Sequence, residues 1–177
     1  MANVNNPSGF VPYTGPGTGS GNAQITEHDL LATNAEIGIG SPVKVAAGGV
    51  ELAAASDALC GIAAEYKAAS DSSLKIKIWS DPDQLFVAQT DDGTGTATAL
   101  AAVGLNINMV GTGVTNRRST SELDETSATT TATLPFKIMK LSDEYQGRAR
   151  NAFGEFNRLV VKINNHQFGS STGTVGI

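Results

Sequence analysis

Charged residues are scarce in this chain, and its first stretch contains none at all. Asp, Glu, Lys and Arg make up 16% of the 177 residues, and the first of them is Glu27. Disordered segments normally carry charge, which keeps them soluble and extended, whereas this stretch is Asn, Gly, Pro, Ser and Thr with a few apolar side chains. We therefore predict that residues 1–30 form an extended N-terminal arm and hinge, ordered by contact with a partner protein. The predicted contact residues are Phe10, Val11, Tyr13 and Ile25.

Dense clusters of basic residues are also lacking, which argues against nucleic acid as a direct partner. The net charge is -5, and neutralising phosphates requires grouped Lys and Arg. A loose group of arginines near the C-terminal end either pairs with acidic residues across a loop or meets an acidic patch on a partner. These interface candidates are Arg148, Arg150 and Arg158, and the acidic residues are Asp143, Glu144 and Glu155.

The chain has a single cysteine, Cys60, so no internal disulfide bond can form. Leu59 before it and Ile62 after it predict a buried side chain rather than a reactive thiol, and folding in a reducing cytoplasm is permitted. No apolar run approaches the ~20 residues needed to cross a bilayer, and the first residues do not resemble a signal peptide. We therefore expect a soluble protein with no membrane partner and no export signal.

Residue sets that perform catalysis or bind metals are missing as well. His28 and His166 are the only histidines, so with one cysteine there is no spaced set of zinc ligands. His28 lies next to Asp29, but no G-x-S-x-G motif supplies the nucleophile of a hydrolase. The glycine-rich residues 15–21 fit no phosphate-binding spacing, and residues 91–95 fail the calcium-loop pattern. We predict that the protein is not an enzyme and uses no metal or other cofactor.

Apolar residues alternate with polar ones in several short segments, which predicts a mainly β fold. The clearest case is residues 74–79, where Leu, Ile and Ile face one side and Lys, Lys and Trp face the other. We predict a β-barrel or β-sandwich body over residues 31–166, which includes a low-charge, loop-rich section at 91–133. Residues 167–177, rich in Gly, Ser and Thr, are expected to form a short flexible C-terminal tail.

Turn residues predict how some of these strands are connected. Gly48–Gly49 predicts a hairpin over residues 37–52. Asp81–Pro82–Asp83 predicts a turn between residues 74–79 and the strand that follows, which together would form a second hairpin. Gly61, within an apolar run, predicts a bulge or a close approach of two backbones.

The section from Gly93 to Asn116 has no charged residue. An uncharged stretch of this length in an acidic protein is either deeply covered or lies at a subunit boundary. Residues 98–103 allow one or two helical turns, and residues 105–110 alternate as a strand. Residues 119–133 predict an extended connection with some strand character, because they contain many β-branched residues.

Trp79 is the only tryptophan and falls on the face opposite the predicted core. There it could stack on a sugar ring, or it could pack beneath a loop or at a subunit contact. The sequence leaves these alternatives open, and Trp79 is a candidate interface residue.

Three short motifs resemble a known family. They are Gly40-Ser41-Pro42-Val43-Lys44-Val45, Ser80-Asp81-Pro82-Asp83-Gln84-Leu85-Phe86 and Val160-Val161-Lys162-Ile163-Asn164-Asn165-His166. In this order they are similar to the small capsid decoration, or cement, proteins of tailed bacteriophages, with Ser41 where Asp is common. The resemblance spans residues 36–166. It implies a β-barrel or β-sandwich bound to the outer face of an icosahedral head, often as a trimer, with arms that reach over neighbouring capsid subunits.

The function implied by this resemblance is stabilisation of a phage head. The implied partner is the major capsid protein, the implied oligomer is a homotrimer, and the implied location is the outer face of the virion after synthesis in the host cytoplasm. Several weak contacts made through one body give avidity, and an extended arm can pair with an exposed sheet edge. Two alternatives stay open: a module associated with the tail, baseplate or fibre, and a carbohydrate-binding β-sandwich on the virion surface.

Overall fold

The chain is mainly β, as the alternating patterns predict. The computed structural model describes residues 3–14, 24–91, 99–143, 145–146, 149–169 and 172–177. The described residues form short strands and a 3-10 turn at Leu100–Ala102. The strands are β1 (Val11–Pro12), β2 (Ile25–Asp29), β3 (Pro42–Ala46), β4 (Gly49–Leu52), β5 (Gly61–Ala63), β6 (Lys75–Trp79), β7 (Leu85–Gln89), β8 (Asn106–Val110), β9 (Val114–Thr115), β10 (Arg118–Ser119), β11 (Glu122–Thr129), β12 (Phe136–Leu141), β13 (Tyr145–Gln146), β14 (Ala149–Arg150) and β15 (Arg158–Ile163).

The larger sheet contains six strands in the order β1-β7-β15-β12-β8-β11. Its central strand β15 pairs antiparallel with β7 on one side and β12 on the other. Leu159, Val161 and Ile163 of β15 face the main core, where they pack with Phe86 and Phe136. Burying a large apolar side chain stabilises a fold by roughly 1.5 to 3 kcal/mol, so this core carries much of the stability.

The smaller sheet contains five strands in the order β2-β6-β5-β3-β4. Ile76 and Ile78 of β6 are fully buried in a second core that also contains Cys60, while the alternating Lys75 and Lys77 are exposed. Gly61 of β5 lies so close to β6 that an added methyl group would collide with the carbonyl oxygen of Trp79. The close backbone approach predicted for this glycine is therefore confirmed.

Each sheet curls until its two sides approach each other, but neither closes into a barrel within the described residues. A single isolated bridge joins Leu30, just after β2, to Val50 of β4, and another joins Thr90, just after β7, to Leu123 of β11. Ile62 of β5 packs in the main core of the other sheet. The body is thus two open, curled sheets packed together, which resembles a β-sandwich rather than the alternative of a closed barrel.

The two predicted turns have different outcomes. Gly48–Gly49 lies in the β3-β4 hairpin, as expected. The turn at Asp81–Pro82–Asp83 also forms, with the Asp83 N–H donating to the Asp81 carboxylate at 2.8 Å, but the second hairpin is wrong. β6 before this turn belongs to the five-stranded sheet and β7 after it to the six-stranded sheet. Local residues specify the bend, whereas long-range packing decides which strand lies alongside.

Residues 99–133 contain more regular structure than predicted. β8 confirms the alternation seen at 105–110, and β11 is an eight-residue strand where an extended connection with some strand character was expected. Ala102, Ile107 and Met109 are buried in the main core. Where it is described, the uncharged stretch is thus covered only in part, because Leu100 and Val110 are exposed.

Residues 3–14 fold onto the body, which contradicts the prediction of an arm that only a partner can order. Phe10 is fully buried and stacks on Phe136, with ring centroids 4.4 Å apart. β1 adds a strand to the edge at β7, and Tyr13 packs on the outer face of the same sheet. The prediction failed because low charge and a few apolar anchors also describe a segment that completes its own core.

Polar side chains fasten the same segment. The side-chain amide of Asn3 donates to two carbonyl groups in the loop before β15, at 2.8 and 2.9 Å. Gln89, which is buried, accepts from the Asn6 N–H and donates to the Asn5 side-chain oxygen, both at 3.0 Å. The asparagines that resembled a disordered tail in the sequence thus make specific contacts.

Residues 172–177 also lie against the body, so the prediction of a flexible tail is wrong for them. The Thr174 N–H donates to Asn164 Oδ1 at 2.9 Å, and the Asn106 amide donates to the Thr174 carbonyl at 2.6 Å. The Ile177 N–H donates to the Gly104 carbonyl at 3.1 Å. Backbone groups that would need water in a free tail are satisfied by the body.

Candidate interaction surface

Residues 166–169, here called the capping segment, cross the open end of the five-stranded sheet. Gln167 anchors the segment, because its side-chain amide accepts from the Val45 N–H at 2.7 Å and donates to the Val45 carbonyl at 3.1 Å. β5 pairs with β3 at Pro42 and Val43, and no strand among the described residues lies beside this edge of Val45. The amide side chain therefore replaces a missing backbone pair and fixes the capping segment in place.

Phe168 is a half-exposed aromatic side chain in the middle of this segment. Its ring stacks on His28, with centroids 5.5 Å apart and planes 11° from parallel. His28 is itself held by the Thr26 hydroxyl, 2.8 Å from its Nε2, and Thr26 also contacts the Ser80 hydroxyl at 2.6 Å. Phe168 thus presents apolar area to solvent from a position that several contacts define.

His166 holds the backbone of Phe168 in place. It is buried, and its Nδ1 accepts a hydrogen bond from the Phe168 N–H at 3.1 Å. Burial lowers the pKa of His166, and the nearby Asp81 and the Ser80 backbone oppose this effect only in part. A neutral ring is also what the geometry requires, because a protonated Nδ1 cannot accept a hydrogen bond.

A cleft of about 470 Å³ lies beside Phe168, between β2 and the tip of the β3-β4 hairpin. Val45, which is more than a third exposed, adds apolar surface to its wall, and the glycine turn exposes backbone. The residues around the cleft are His28, Asp29, Val45, Ala46, Gly48, Gly49, Val50 and Phe168. We refer to Val45, Phe168 and this cleft as the rim surface.

A second groove, of about 490 Å³, lies on the outer face of the six-stranded sheet. Its cationic groups are already engaged: Lys162 pairs with Asp83 at 2.5 Å, and Lys137 donates to Thr174 at 3.2 Å and to the carbonyl of the next residue at 2.9 Å. Met139 forms apolar floor between them. Because its charges are matched, this groove offers less to a partner than the rim surface.

The predicted arm contacts are divided by the structure. Phe10 and Tyr13 are buried against the protein's own strands, so they cannot serve as contact residues in this conformation. Val11 is partly exposed but pairs with Val87 of β7. Ile25 is half exposed and lies on β2, near the rim surface rather than on a separate arm.

Trp79 and the arginine group have different surroundings in the structure. Trp79 is partly buried and packs against the main core, in line with the packing alternative. Arg150 lies 3.6 Å from the Asp143 carboxylate, in line with the pairing alternative. Arg158 belongs to β15 and borders a small pocket beside β1, and Arg148 lies outside the described residues.

The candidate catalytic residues are occupied in structural contacts. His28 bonds to Thr26, while the adjacent Asp29 pairs with Lys75, so these two form no dyad. Burial raises the pKa of Cys60 to about 12, which keeps it a thiol at neutral pH. In the described part of the chain, no group of three or more His, Cys, Asp or Glu side chains is placed to bind a metal ion.

The prediction of a tail over residues 167–177 missed the capping segment. A signal was present: Phe168 is an isolated aromatic residue that follows His166 and Gln167 and precedes a Gly-Ser-Ser run. The pairing of Gln167 with Val45 joins residues 122 positions apart. Nothing local in the sequence indicates such a contact.

Comparisons with protein-family models, with curated proteins and with solved structures found no match to this chain. None of the described helical residues forms a helix of the length and apolarity that a membrane span requires.

Proposed function

We propose that this protein is a capsid decoration protein of a tailed bacteriophage, which binds the outer surface of the major capsid protein lattice and stabilises the head. In this proposal it acts as a homotrimer on the outer face of the virion. The sequence motifs at residues 40–45, 80–86 and 160–166 suggest the family. The observation that carries the proposal is the rim surface, where Phe168 is held half exposed on a firmly packed body.

Such a surface has the properties of a protein contact. Interfaces obtain most of their binding energy from a few side chains, often aromatic, that lie in fixed positions and lose little entropy on binding. Phe168 meets this description because His28 holds its ring and His166 holds its backbone. Val45 extends the apolar area beside it.

The packed terminal segments agree with a role under mechanical load. A cement protein must resist deformation while the shell is under pressure from packaged DNA. Phe10 at one end of the chain is part of the main core, and Ile177 at the other end bonds to Gly104. A body on which the described terminal segments are packed transmits force between its contacts, and several such bodies on one lattice give avidity.

The direct test compares heads prepared with and without the protein. The proposal predicts that heads lacking it release DNA at a lower temperature, and that adding the purified protein restores the original release temperature. Phe168→Ala should restore it poorly, because attachment is weakened. Leu100→Ala is the matched control, since Leu100 is an exposed apolar residue outside the rim surface. Equal release temperatures with and without the wild-type protein would contradict the proposal.

A carbohydrate-binding role is the second candidate, and the half-exposed ring of Phe168 is the observation in its favour. Aromatic rings in fixed positions stack on sugar rings as well as on proteins. Glycan-array binding that disappears in Phe168→Ala, without any effect on head stability, would favour this alternative. Electron microscopy of particles with and without the protein separates a head location from a tail, baseplate or fibre location.

A further inference from the structure

Over Ile25 to Glu27, the outer edge of strand β2 pairs with none of the residues that the structure describes. β2 pairs with β6 in continuous register, from Ile25 opposite Trp79 to Asp29 opposite Lys75. The Leu30 N–H donates to the Leu74 carbonyl at 2.9 Å, so residue 30 and every second residue before it direct their backbone groups toward β6. Ile25 and Glu27 therefore direct their N–H and C=O groups away from β6, where no hydrogen bond from a described residue reaches them.

The backbone hydrogen bonds of β6, the strand that pairs with β2, agree with this assignment. The Lys77 carbonyl accepts from the Ala64 N–H at 2.9 Å, which means that Lys77 directs its backbone toward β5. Its partner across the ladder is Glu27, whose backbone must then face outward. The described part of the chain covers this edge at the far end of β2, where Leu30 bridges to Val50 of β4.

Side chains along this edge form a regular pattern on the solvent face. Glu27 lies opposite Lys77, Asp29 lies opposite Lys75 and bonds to it, and Ile25 lies opposite Trp79. Ile25 is half exposed. An additional strand beside β2 would place its own side chains next to Ile25 and Glu27. The favourable neighbours are an apolar residue at the first position and Lys or Arg at the second.

This pattern disfavours a second copy of the same chain as the occupant in the register centred on Glu27. Two β2 edges that pair antiparallel around Glu27 would place one Glu27 directly against the other, and like charges in that position are destabilising. A different chain that carries a basic residue there meets no such repulsion. The unpaired backbone groups require that this chain be extended, because only a strand can match their spacing.

We propose that the outer edge of β2 binds an extended segment of the major capsid protein, with an apolar residue opposite Ile25 and Lys or Arg opposite Glu27. This inference rests on the proposed function and identifies where and how the partner is held. It places the added strand beside the rim surface, because His28 on the other face of β2 carries the stacked ring of Phe168. Backbone pairing and the apolar contact would then act together.

The test uses two variants at one position. Glu27→Pro removes the outward N–H and places a ring on the edge, but it breaks no hydrogen bond to β6, since the backbone of residue 27 faces outward. Glu27→Ala removes the same charged side chain and keeps the N–H. Binding of each purified protein to heads that lack it is measured by co-sedimentation. We expect Glu27→Pro to bind at least about ten-fold more weakly than Glu27→Ala, because edge hydrogen bonds are lost.

The outcomes separate this inference from the function on which it rests. If the wild-type protein does not bind the heads, the proposed function fails. If the wild type binds and Glu27→Pro binds as tightly as Glu27→Ala, the proposed edge contact is overturned. A fall in oligomeric state of Glu27→Pro without weaker head binding would also overturn it, since the edge would then serve another copy of this chain.

Hydrogen exchange of the wild-type protein gives a second measurement that does not depend on the folding of a variant. The amides of Ile25 and Glu27 should exchange more slowly on heads than in the free protein, whereas that of His28, which faces β6, should change little. Unchanged exchange at Ile25 and Glu27 on heads that have bound the protein would refute the inference.

Discussion

The N-terminal segment, residues 3–14, and the capping segment, residues 166–169, use aromatic residues in opposite ways. Phe10 is fully buried and stacks on Phe136 in the main core. Phe168 is half exposed and stacks on His28 at the surface. Both residues lie in uncharged sequence near a chain end, so composition does not distinguish them. The comparison shows that an aromatic anchor in a low-charge segment can complete the protein's own core or remain available to a partner.

What separates the two segments is the space that the sheets leave for them. The curled six-stranded sheet needs a large side chain to fill its interior, and Phe10 occupies that position beside Phe136. The open end of the five-stranded sheet is already filled by Leu30 and its neighbours. The capping segment therefore covers that end with polar contacts through Gln167 and leaves its ring outside.

The largest expected difference is between alanine substitutions of the two rings. Phe10→Ala should lower the free energy of unfolding by about 3 to 5 kcal/mol, because it leaves a cavity in the main core. Phe168→Ala should lower it by less than about 1 to 1.5 kcal/mol, since half of that ring is already in water. Urea denaturation followed by circular dichroism measures both values.

Their effects on head binding should run the other way. A folded fraction of Phe10→Ala should attach to heads normally, whereas Phe168→Ala should attach weakly although it is stable. Equal losses of stability in the two variants would show that residues 3–14 are not part of the core in solution. The prediction of a separate N-terminal arm would then regain support.

Gln167 provides the next largest effect. Gln167→Ala should lower the free energy of unfolding by about 1 to 2 kcal/mol, because both hydrogen bonds to Val45 are lost. Gln167→Glu is the informative control: it can still accept from the Val45 N–H but places a carboxylate oxygen against the Val45 carbonyl. We expect it to be no more stable than the alanine variant at pH 7. A Glu variant with wild-type stability in urea would argue against the two-sided contact.

Acid should weaken the capping segment through His166. The pKa of His166 is lowered in the folded state by burial, so the unfolded chain binds a proton more readily. The stability contributed by the neutral ring is complete above the unfolded pKa of about 6.5 and is lost as pH falls below it. The urea concentration at the midpoint of unfolding should therefore decrease as the pH is lowered from 7.5 to 5.

The control for this pH dependence is His166→Phe, which cannot titrate. It loses the acceptor for the Phe168 N–H and so starts from a lower stability, but its urea midpoint should change less between pH 7.5 and pH 5. The same slope in the wild type and in His166→Phe would assign the acid effect to other groups.

The sequence was sufficient to predict elements whose signal is local. Alternation predicts β6 and β15, and the turn chemistry of Asp81 to Asp83 predicts a bend that the structure contains. The sheet to which each strand belongs was not predictable, because it depends on pairings between distant residues. β7 shows this, since its neighbours are β1 and β15 rather than β6.

The candidate site was less predictable than the fold for the same reason. Ile25, predicted as a contact residue of an arm, is instead a half-exposed residue of β2, and Trp79, expected on a partly wet face, is partly buried against the main core. Period-two alternation tells which side of its own sheet a residue faces. It does not tell whether another sheet covers that side.

The smallest expected effect concerns Arg150, for which the sequence left two alternatives. Its guanidinium lies 3.6 Å from the Asp143 carboxylate, and both side chains are mostly exposed. Exposed ion pairs contribute little, so Arg150→Ala should change the free energy of unfolding by less than about 0.5 kcal/mol. If Arg150 only pairs with Asp143, then Arg150→Ala and Asp143→Ala should bind heads equally well in co-sedimentation.

If Arg150 instead meets an acidic patch on the capsid, only Arg150→Ala should bind more weakly, with a deficit that shrinks as salt is raised. The second result would add a polar contact to the interface and shift its centre away from Phe168.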